Sequence, residues 1–175
     1  MGEVIEKIKS RRSIRKFKDT PVPEELIKQI AQAGTYAATS MGKQSPIIIA
    51  VTNKEMRDKL SKMNAKIMGR EEDFDPFYGA PAVLVVLARV NVPAHVYDGS
   101  LVMGNLMLAA HELGLGSCWI HRAKEEFETK EGKEILSSLN ITGEYEGIGH
   151  CVIGYTDGEE PRCAKRKSNY IYYVK

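Results

Sequence analysis

The sequence predicts one domain in which helices and β-strands share a single core, and three observations carry that expectation. Apolar residues recur at helical spacing in several stretches, placing them on one helix face. Short β-branched runs, 46–51 and 82–88 above all, lie between those stretches and have the makeup of buried strands. The length of 175 residues suits one compact core and is short for two, and no internal repeat or low-complexity linker divides the chain.

Composition narrows the classes. Apolar content of 43% and charged content of 27% are those of an ordinary soluble globular protein. A net charge of +2 is too small for general binding to nucleic acid or a membrane surface, since the basic residues concentrate locally, at 11–16 and 165–167. The longest apolar run, Ala80 to Ala88, falls far short of the roughly 20 residues of a membrane-spanning helix. Glu3, Glu6, Lys7 and Lys9 interleave with Val4, Ile5 and Ile8, which is no signal-peptide pattern. The odd count of 3 cysteines, without CxxC spacing, argues for a reducing compartment and against a disulfide framework or zinc site. The histidines show no ligand spacing, so no metal is expected, and the expected setting is cytoplasmic.

Taken in order, Val4, Ile5 and Ile8 form one face of a short first helix. Pro21 and Pro23 mark a turn into a second, with Leu26, Ile27, Ile30 and Ala31 on its core face, Glu24 and Glu25 near its positive end and Gly34 as its stop. Pro46 to Val51 reads as a buried strand. Asn53 can cap a third helix whose stripe is Met56, Leu60, Met63 and Ile67, and Gly69 to Pro76 reads as a mobile surface loop. After the strand at 82–88, Asp98 opens a fourth helix that Gly114 closes. Its interior from Leu101 to Ala110 is apolar nearly all round, so burial on every side is expected, with Gly104 admitting another backbone and a second copy of the helix as the packing partner. Gly114 to Ile120 turns into a short strand, and Thr129 caps a helix holding Ile135, Leu136 and Leu139. Gly147 to Tyr155 is a further buried strand, and Tyr170 to Val174 has the aromatic, β-branched makeup of another.

Two stretches invite chemistry. Arg11-Arg12-Ser13-Ile14-Arg15-Lys16-Phe17 packs 4 cations and a hydroxyl into seven residues, either as a solvated basic turn or as the seat of an anion. Residues 37–46 form a loop of small and polar side chains, equally a connector or a binding loop. No GxSxG, HExxH, GxGxxG or GxxxxGK[ST] occurs, and no catalytic dyad presents itself. Two basic clusters, a polar loop and the glycine turn at 114–116 suit the holding of an anionic cofactor that brings its own chemistry.

Over nearly its whole length the chain resembles the nitroreductase family of flavoenzymes. The matching pieces, in order, are Arg11 to Arg15, the 37–46 loop, Phe77 to Pro81, Asn105 to Ala110, Gly114 to Ile120, and Gly154-Tyr155 followed by Arg166-Lys167. The resemblance implies an α+β fold, a central mixed and mainly antiparallel β-sheet wrapped by helices. It implies a homodimer with FMN at each of two interface sites and a C-terminal strand extending onto the partner's sheet. The implied activity is ping-pong electron transfer from NADH or NADPH, through flavin N5, to nitroaromatic or quinone-like acceptors. The rivals are a flavin-binding or sensing protein without turnover, and a family branch with other flavin chemistry, such as reductive dehalogenation.

Position by position, the resemblance assigns Arg11, Ser13 and Arg166 to the FMN phosphate and Arg12 to the phosphate–ribityl region, with Lys167 beside Arg166. Arg15 would face flavin N1 and the C2 carbonyl, where negative charge gathers on reduction. Asn64 would reach the pyrimidine edge. Ala38, Thr39, Ser40 and Gly42 would come from the partner subunit, with Gln44 as the best-matched polar residue of that loop. A backbone N–H near His121 or Arg122 would address N5. The chain departs from the pattern where Ala38, Gly42, Ser45 and Pro46 replace Pro, Asn, Pro and Trp, where His121 replaces a frequent Gly, and where Ala164 replaces a Lys. No side chain is expected to act as a nucleophile; the imidazole of His121 would lie near the flavin edge, either as a bystander or as a group that gates or protonates substrate.

Overall fold

A computed structural model describes residues 2–71 and 73–175. Its elements are α1 (Glu3–Ser10), α2 (Glu24–Thr35), β1 (Pro46–Val51), α3 (Lys54–Ile67), β2 (Ala82–Arg89), α4 (His95–Glu112), β3 (Gly116–Ile120), α5 (Ala123–Glu128), α6 (Lys130–Ser138) and β4 (Tyr145–Gly154). The four strands form one sheet in the order β1-β2-β4-β3, and every neighbouring pair is antiparallel. A parallel component enters through the bridge between Ser13 and Ser117, outside the named strands.

β2 explains the architecture. Residues 82–88 are all buried, because helices cover both faces of the sheet and alternate side chains feed two different cores. Val83, Val85 and Leu87 pack with Leu60 of α3, Phe127 of α5 and Ile135 and Leu136 of α6. Ala82, Leu84, Val86 and Ala88 pack with Ile27 and Ile30 of α2 and with Val102, Met103, Leu106 and Ala110 of α4. The fold is therefore α+β, three layers with the sheet in the middle.

Local signals place most of the elements. Asn53 accepts the Met56 N–H at 2.9 Å and starts α3, and Thr129 accepts the Gly132 N–H at 3.0 Å to start α6. Other expectations need correction. Gly34 does not stop α2 but lies inside it, buried, where a Cβ would meet Leu106 Cδ2 at 2.6 Å; its function is close approach to α4. β1 is a half-buried edge strand, having β2 on one side only. The buried face of α3 is Arg57, Leu60, Ser61, Asn64 and Ala65, rotated from the methionine stripe. Leu139 is exposed, one residue past α6. Of the 69–76 stretch, residue 72 lies outside the described residues; 69–71 and 73–76 are irregular, yet the end is fastened: Asp75 accepts from Ser61 Oγ at 2.7 Å, from the N–H groups of Phe77 and Gly79 at 2.9 and 2.7 Å, and from the Arg57 guanidinium.

α4 begins at His95, a turn before Asp98. Within the chain it is not buried all round. Tyr97 and Leu101 are 75% and 52% exposed, and the space beside Gly104 is open to 4 Å. α1 buries none of its residues, and Val4, Ile5 and Ile8 face outward. Residues 170–174 form no strand and are exposed, since a strand needs another backbone to bond and the chain offers none there.

Candidate functional site

The basic segment follows directly from α1 and runs along β3, the strand at one edge of the sheet. Ser13 bridges Ser117, with the Ile14 N–H donating to the Ser117 carbonyl at 2.9 Å. Phe17 bridges Thr156, and the Lys18 N–H donates to the Tyr155 carbonyl at 2.9 Å. Ile14 and Phe17 are buried and anchor the segment like a rudimentary fifth strand. Lys16 pairs with Asp157 at 2.8 Å.

The cations of the segment have different fates. Arg12 donates through Nη1 to the Lys9 and Arg11 carbonyls at 2.6 and 2.7 Å, placing a cation at the negative end of α1. Arg11 has a buried Nη1 without any hydrogen-bond partner. Arg15 is exposed. Among the described residues, no carboxylate forms an ion pair with Arg11, Arg12 or Arg15. Arg11, Ser13 and Arg15 all act on one neighbour, the Cys118 thiol of β3. Burial pushes that thiol up, and the Arg15 charge, the Ser13 hydroxyl and the Arg11 charge oppose the rise. The bridge between Ser13 and Ser117 sets the segment that carries all three beside the start of β3.

The other end of β3 carries the second group. After Ile120 the chain turns through His121, which is exposed, and Arg122, which adopts left-handed backbone at φ 79° and caps α5. Asn64 does not reach open space: it is wholly buried, and its Nδ2 donates to the His121 carbonyl at 2.8 Å and to Glu126 Oε1 at 2.5 Å. It holds the turn from behind.

The 37–46 loop contains a short 3₁₀ turn, Ser40–Gly42. The Ser40 N–H donates to Asp98 Oδ1 at 2.9 Å and Ser45 Oγ to Asp98 Oδ2 at 3.2 Å, while the Gln44 N–H donates to Thr39 Oγ1 at 3.1 Å. Ala38, Gly42 and Gln44 are exposed. Gly42 has φ 64°, a conformation that glycine and asparagine both accept, so the departure from the family's Asn keeps the backbone while removing an amide side chain. Among the described residues, no hydrogen bond or ion pair joins this loop to the Arg11–Arg15 segment of the same chain. Arg166 and Lys167 are exposed, and Arg166 donates only locally, to Cys163 Sγ at 3.9 Å. Sequence reasoning took Asp98 for a helix opener; the serines at 40 and 45 gave no signal that they bind its buried carboxylate.

Comparison with known proteins meets this geometry directly. The sequence model of the nitroreductase family matches residues 8–155, from the end of α1 through the last strand. The chain belongs to the nitroreductase family. A relative from Methanothermobacter thermautotrophicus, whose name proposes an NADH dehydrogenase or NAD(P)H nitroreductase, is 35% identical over 126 residues, covering 67% of this chain and 60% of that protein. This chain therefore spans less than two thirds of that relative. An FMN reductase [NAD(P)H] from Bacillus subtilis is 29% identical over 195 residues, covering 97% of this chain and 74% of the relative. Among solved structures, a Bacteroides fragilis nitroreductase with bound FMN superposes with a TM-score of 0.89 at 26% identity, covering 100% of both chains. In nitroreductase terms, the family match spans both the docked basic segment and the turn after β3. No helix among the described residues is long and apolar enough to cross a membrane.

Proposed function

We propose that this chain binds FMN and transfers electrons from NADH or NADPH to flat, electron-poor acceptors such as nitroaromatics and quinones. The observation that carries the reading is Arg11: a buried guanidinium nitrogen with no partner in the protein, in a segment whose Arg11, Arg12 and Arg15 meet no carboxylate among the described residues. A buried donor is left unpaired at a cost of about 1–3 kcal/mol, so something anionic belongs there. A flavin phosphate suits Arg11 and the Ser13 hydroxyl, and the FMN held by the superposed Bacteroides fragilis structure supports that choice.

FMN, when bound, supplies two-electron chemistry at N5, with the donor and acceptor using the slot in turn. The chain's own contribution is binding and electrostatics. Arg11 and Ser13 hold the phosphate; Arg166 and Lys167 join them from the tail. Arg15 sets a cation beside the electron-rich edge, and the His121–Arg122 turn offers its backbone to the reacting edge. No side chain need act as a nucleophile.

The site is shared in a homodimer under this reading. Val4 and Ile8 of α1 are 66% and 59% exposed, and Leu101 and Gly104 of α4 are exposed as well, which supports a partner covering these helices. The partner would bring Ala38, Thr39, Ser40, Gly42 and Gln44 to the flavin, and the 170–174 segment would find its strand partner on the other subunit's sheet. The cytoplasm, rich in reduced nicotinamide donors, is the compartment that fits.

The test is direct. Purified protein incubated with FMN and desalted should retain a yellow chromophore, and anaerobic NADH or NADPH should bleach it. A nitroaromatic should then restore the colour. Protein that retains no flavin overturns the reading; protein that retains flavin but resists both donors is a binder without turnover.

A further inference from the structure

Three polar side chains lie wholly buried inside the core that also holds Phe77 and Phe127: Asn64 of α3, Glu126 of α5 and His150 of β4. Glu126 joins the other two. Its Oε2 stands 3.0 Å from His150 Nε2, and its Oε1 accepts from Asn64 Nδ2 at 2.5 Å. His150 also stacks, tilted, on Phe77 with ring centroids 5.1 Å apart. Asn64 Oδ1 and His150 Nδ1 have no partner.

Such a set is expensive to bury, and apolar residues of the same shape often serve a core as well or better. What it accomplishes is visible at its outer end. The same Asn64 Nδ2 donates to the His121 carbonyl at 2.8 Å, so the network terminates on the backbone of the turn after β3. That turn needs restraint, because Arg122 sits at φ 79°, which a non-glycine residue keeps only where its surroundings impose it. A second restraint acts from the sheet. Gly147 of β4 lies so close to α5 that a Cβ there would be 2.1 Å from the Ala123 carbonyl oxygen. The Glu126 N–H closes the first turn of α5 onto the Arg122 carbonyl at 2.9 Å.

We infer that Asn64, Glu126 and His150 are positioning residues. They hold the His121–Arg122 backbone in the one conformation from which it can address the reacting edge of the bound flavin. The inference rests on the functional reading above for the identity of that ligand. The network itself touches only the turn.

Two measurements test it, one on apoprotein and one on loaded protein. In wild-type apoprotein, the Glu126 amide should be protected from hydrogen exchange although α5 spans only Ala123–Glu128. Asn64→Leu fills the site without the amide bridge, and Asn64→Ser leaves a group too short for both partners; either variant that folds suffices. Each should raise exchange at the Glu126 amide by about tenfold or more, while the amide of Val85 in β2 stays protected. In loaded protein, the same variants should slow flavin bleaching by NADH or NADPH by about 10- to 100-fold and shift the flavin's reduction potential, with FMN affinity changed less than about threefold. Glu126→Gln preserves an acceptor for Asn64 and a polar group toward His150, and should bleach within about threefold of the wild-type rate. Free exchange of the wild-type Glu126 amide would overturn the inference. So would a uniform rise in exchange across α5 and β2, or unchanged bleaching in both Asn64 variants. If wild-type protein binds no FMN, the functional reading falls, while the exchange experiment still decides whether the network holds the turn.

Discussion

Arg11→Met separates a cofactor-holding arginine from a structural one. The substitution keeps an unbranched stem and removes the guanidinium whose Nη1 is buried without a partner. In apoprotein that unpaired donor costs about 1–3 kcal/mol, so its removal should leave stability unchanged or raise it by about 1 kcal/mol. For a chain of this length that is a rise in Tm of about 2–4 °C. With FMN the sign reverses. Charge-assisted hydrogen bonds from a guanidinium contribute about 1.5–3 kcal/mol, so FMN should bind roughly 10- to 150-fold more weakly. Riboflavin, which lacks the phosphate, is the internal control and should bind wild type and variant alike. The assay is quenching of flavin fluorescence on titrating apoprotein with each ligand, with thermal unfolding measured in parallel. A large fall in apoprotein Tm, with FMN and riboflavin weakened equally, would show that Arg11 holds the fold together and would refute the assignment.

Other residues give independent checks. Arg15 is exposed, so Arg15→Ala should cost about 1–2 kcal/mol of preference for reduced flavin, lowering the bound potential by about 20–40 mV for two electrons; equal loss of oxidised and reduced FMN affinity in redox titration would remove its tuning role. For Asp75, burial alone would raise the carboxyl, but Arg57, the Ser61 hydroxyl and the Gly79 N–H together hold it below its usual value. A folded-state pKa that is depressed contributes stability present above the unfolded value of about 3.9 and lost as pH falls through the lower folded one. Asp75→Asn should therefore be less stable at neutral pH and show a shallower loss in denaturant midpoint below about pH 4, and an acid slope equal to wild type would contradict that. Leu101 is exposed on α4, so under the proposed dimer the wild type should sediment as a dimer and Leu101→Glu as a monomer with reduced FMN retention; a wild type that sediments as a monomer removes the dimer, and a variant as dimeric as wild type places the interface elsewhere.

How far the sequence carried the fold depended on whether a signal was local. Asn53 and Thr129 were readable as caps because capping is decided within three residues. β2 was readable because burial on both faces leaves an uninterrupted apolar run. Gly34 was misread because the same residue type stops helices and admits close neighbours, and Leu106 and Ile48, both distant in sequence, decide between them. The candidate site divides in the same way. The basic segment stood out by charge density, yet Arg11 and Arg12 are indistinguishable in sequence. One lies where it can reach the last carbonyls of α1 and the other does not, and that difference is a matter of helix phase. Glu126 carried no signal, because a charged residue in a polar helix reads as solvent-facing until the core closes over it; His150 lay in a stretch readable as a buried strand, but nothing local named Glu126 as its partner.

β3 contributes no reactive side chain of its own, yet both halves of the proposed site are referenced to it. At its start, Ser117 fixes the height of Ser13 and hence of Arg11 and Arg15. At its end, Ile120 pairs with His150, whose other contact runs through Glu126 and Asn64 to the His121 carbonyl. A strand advances about 3.3 Å per residue and bends little, so it sets the spacing between the two groups more reliably than a loop of the same length. Of the buried polar atoms without a hydrogen-bond partner, Arg11 Nη1 belongs to the first group and Asn64 Oδ1 and His150 Nδ1 to the second, while Trp119 Nε1 lies within β3 itself and His95 Nε2 at the start of α4. A protein selected for stability alone would pair or remove such groups. Under the proposed function, β3 sets the distance between the residues that would hold the phosphate and the turn that would face the reacting edge.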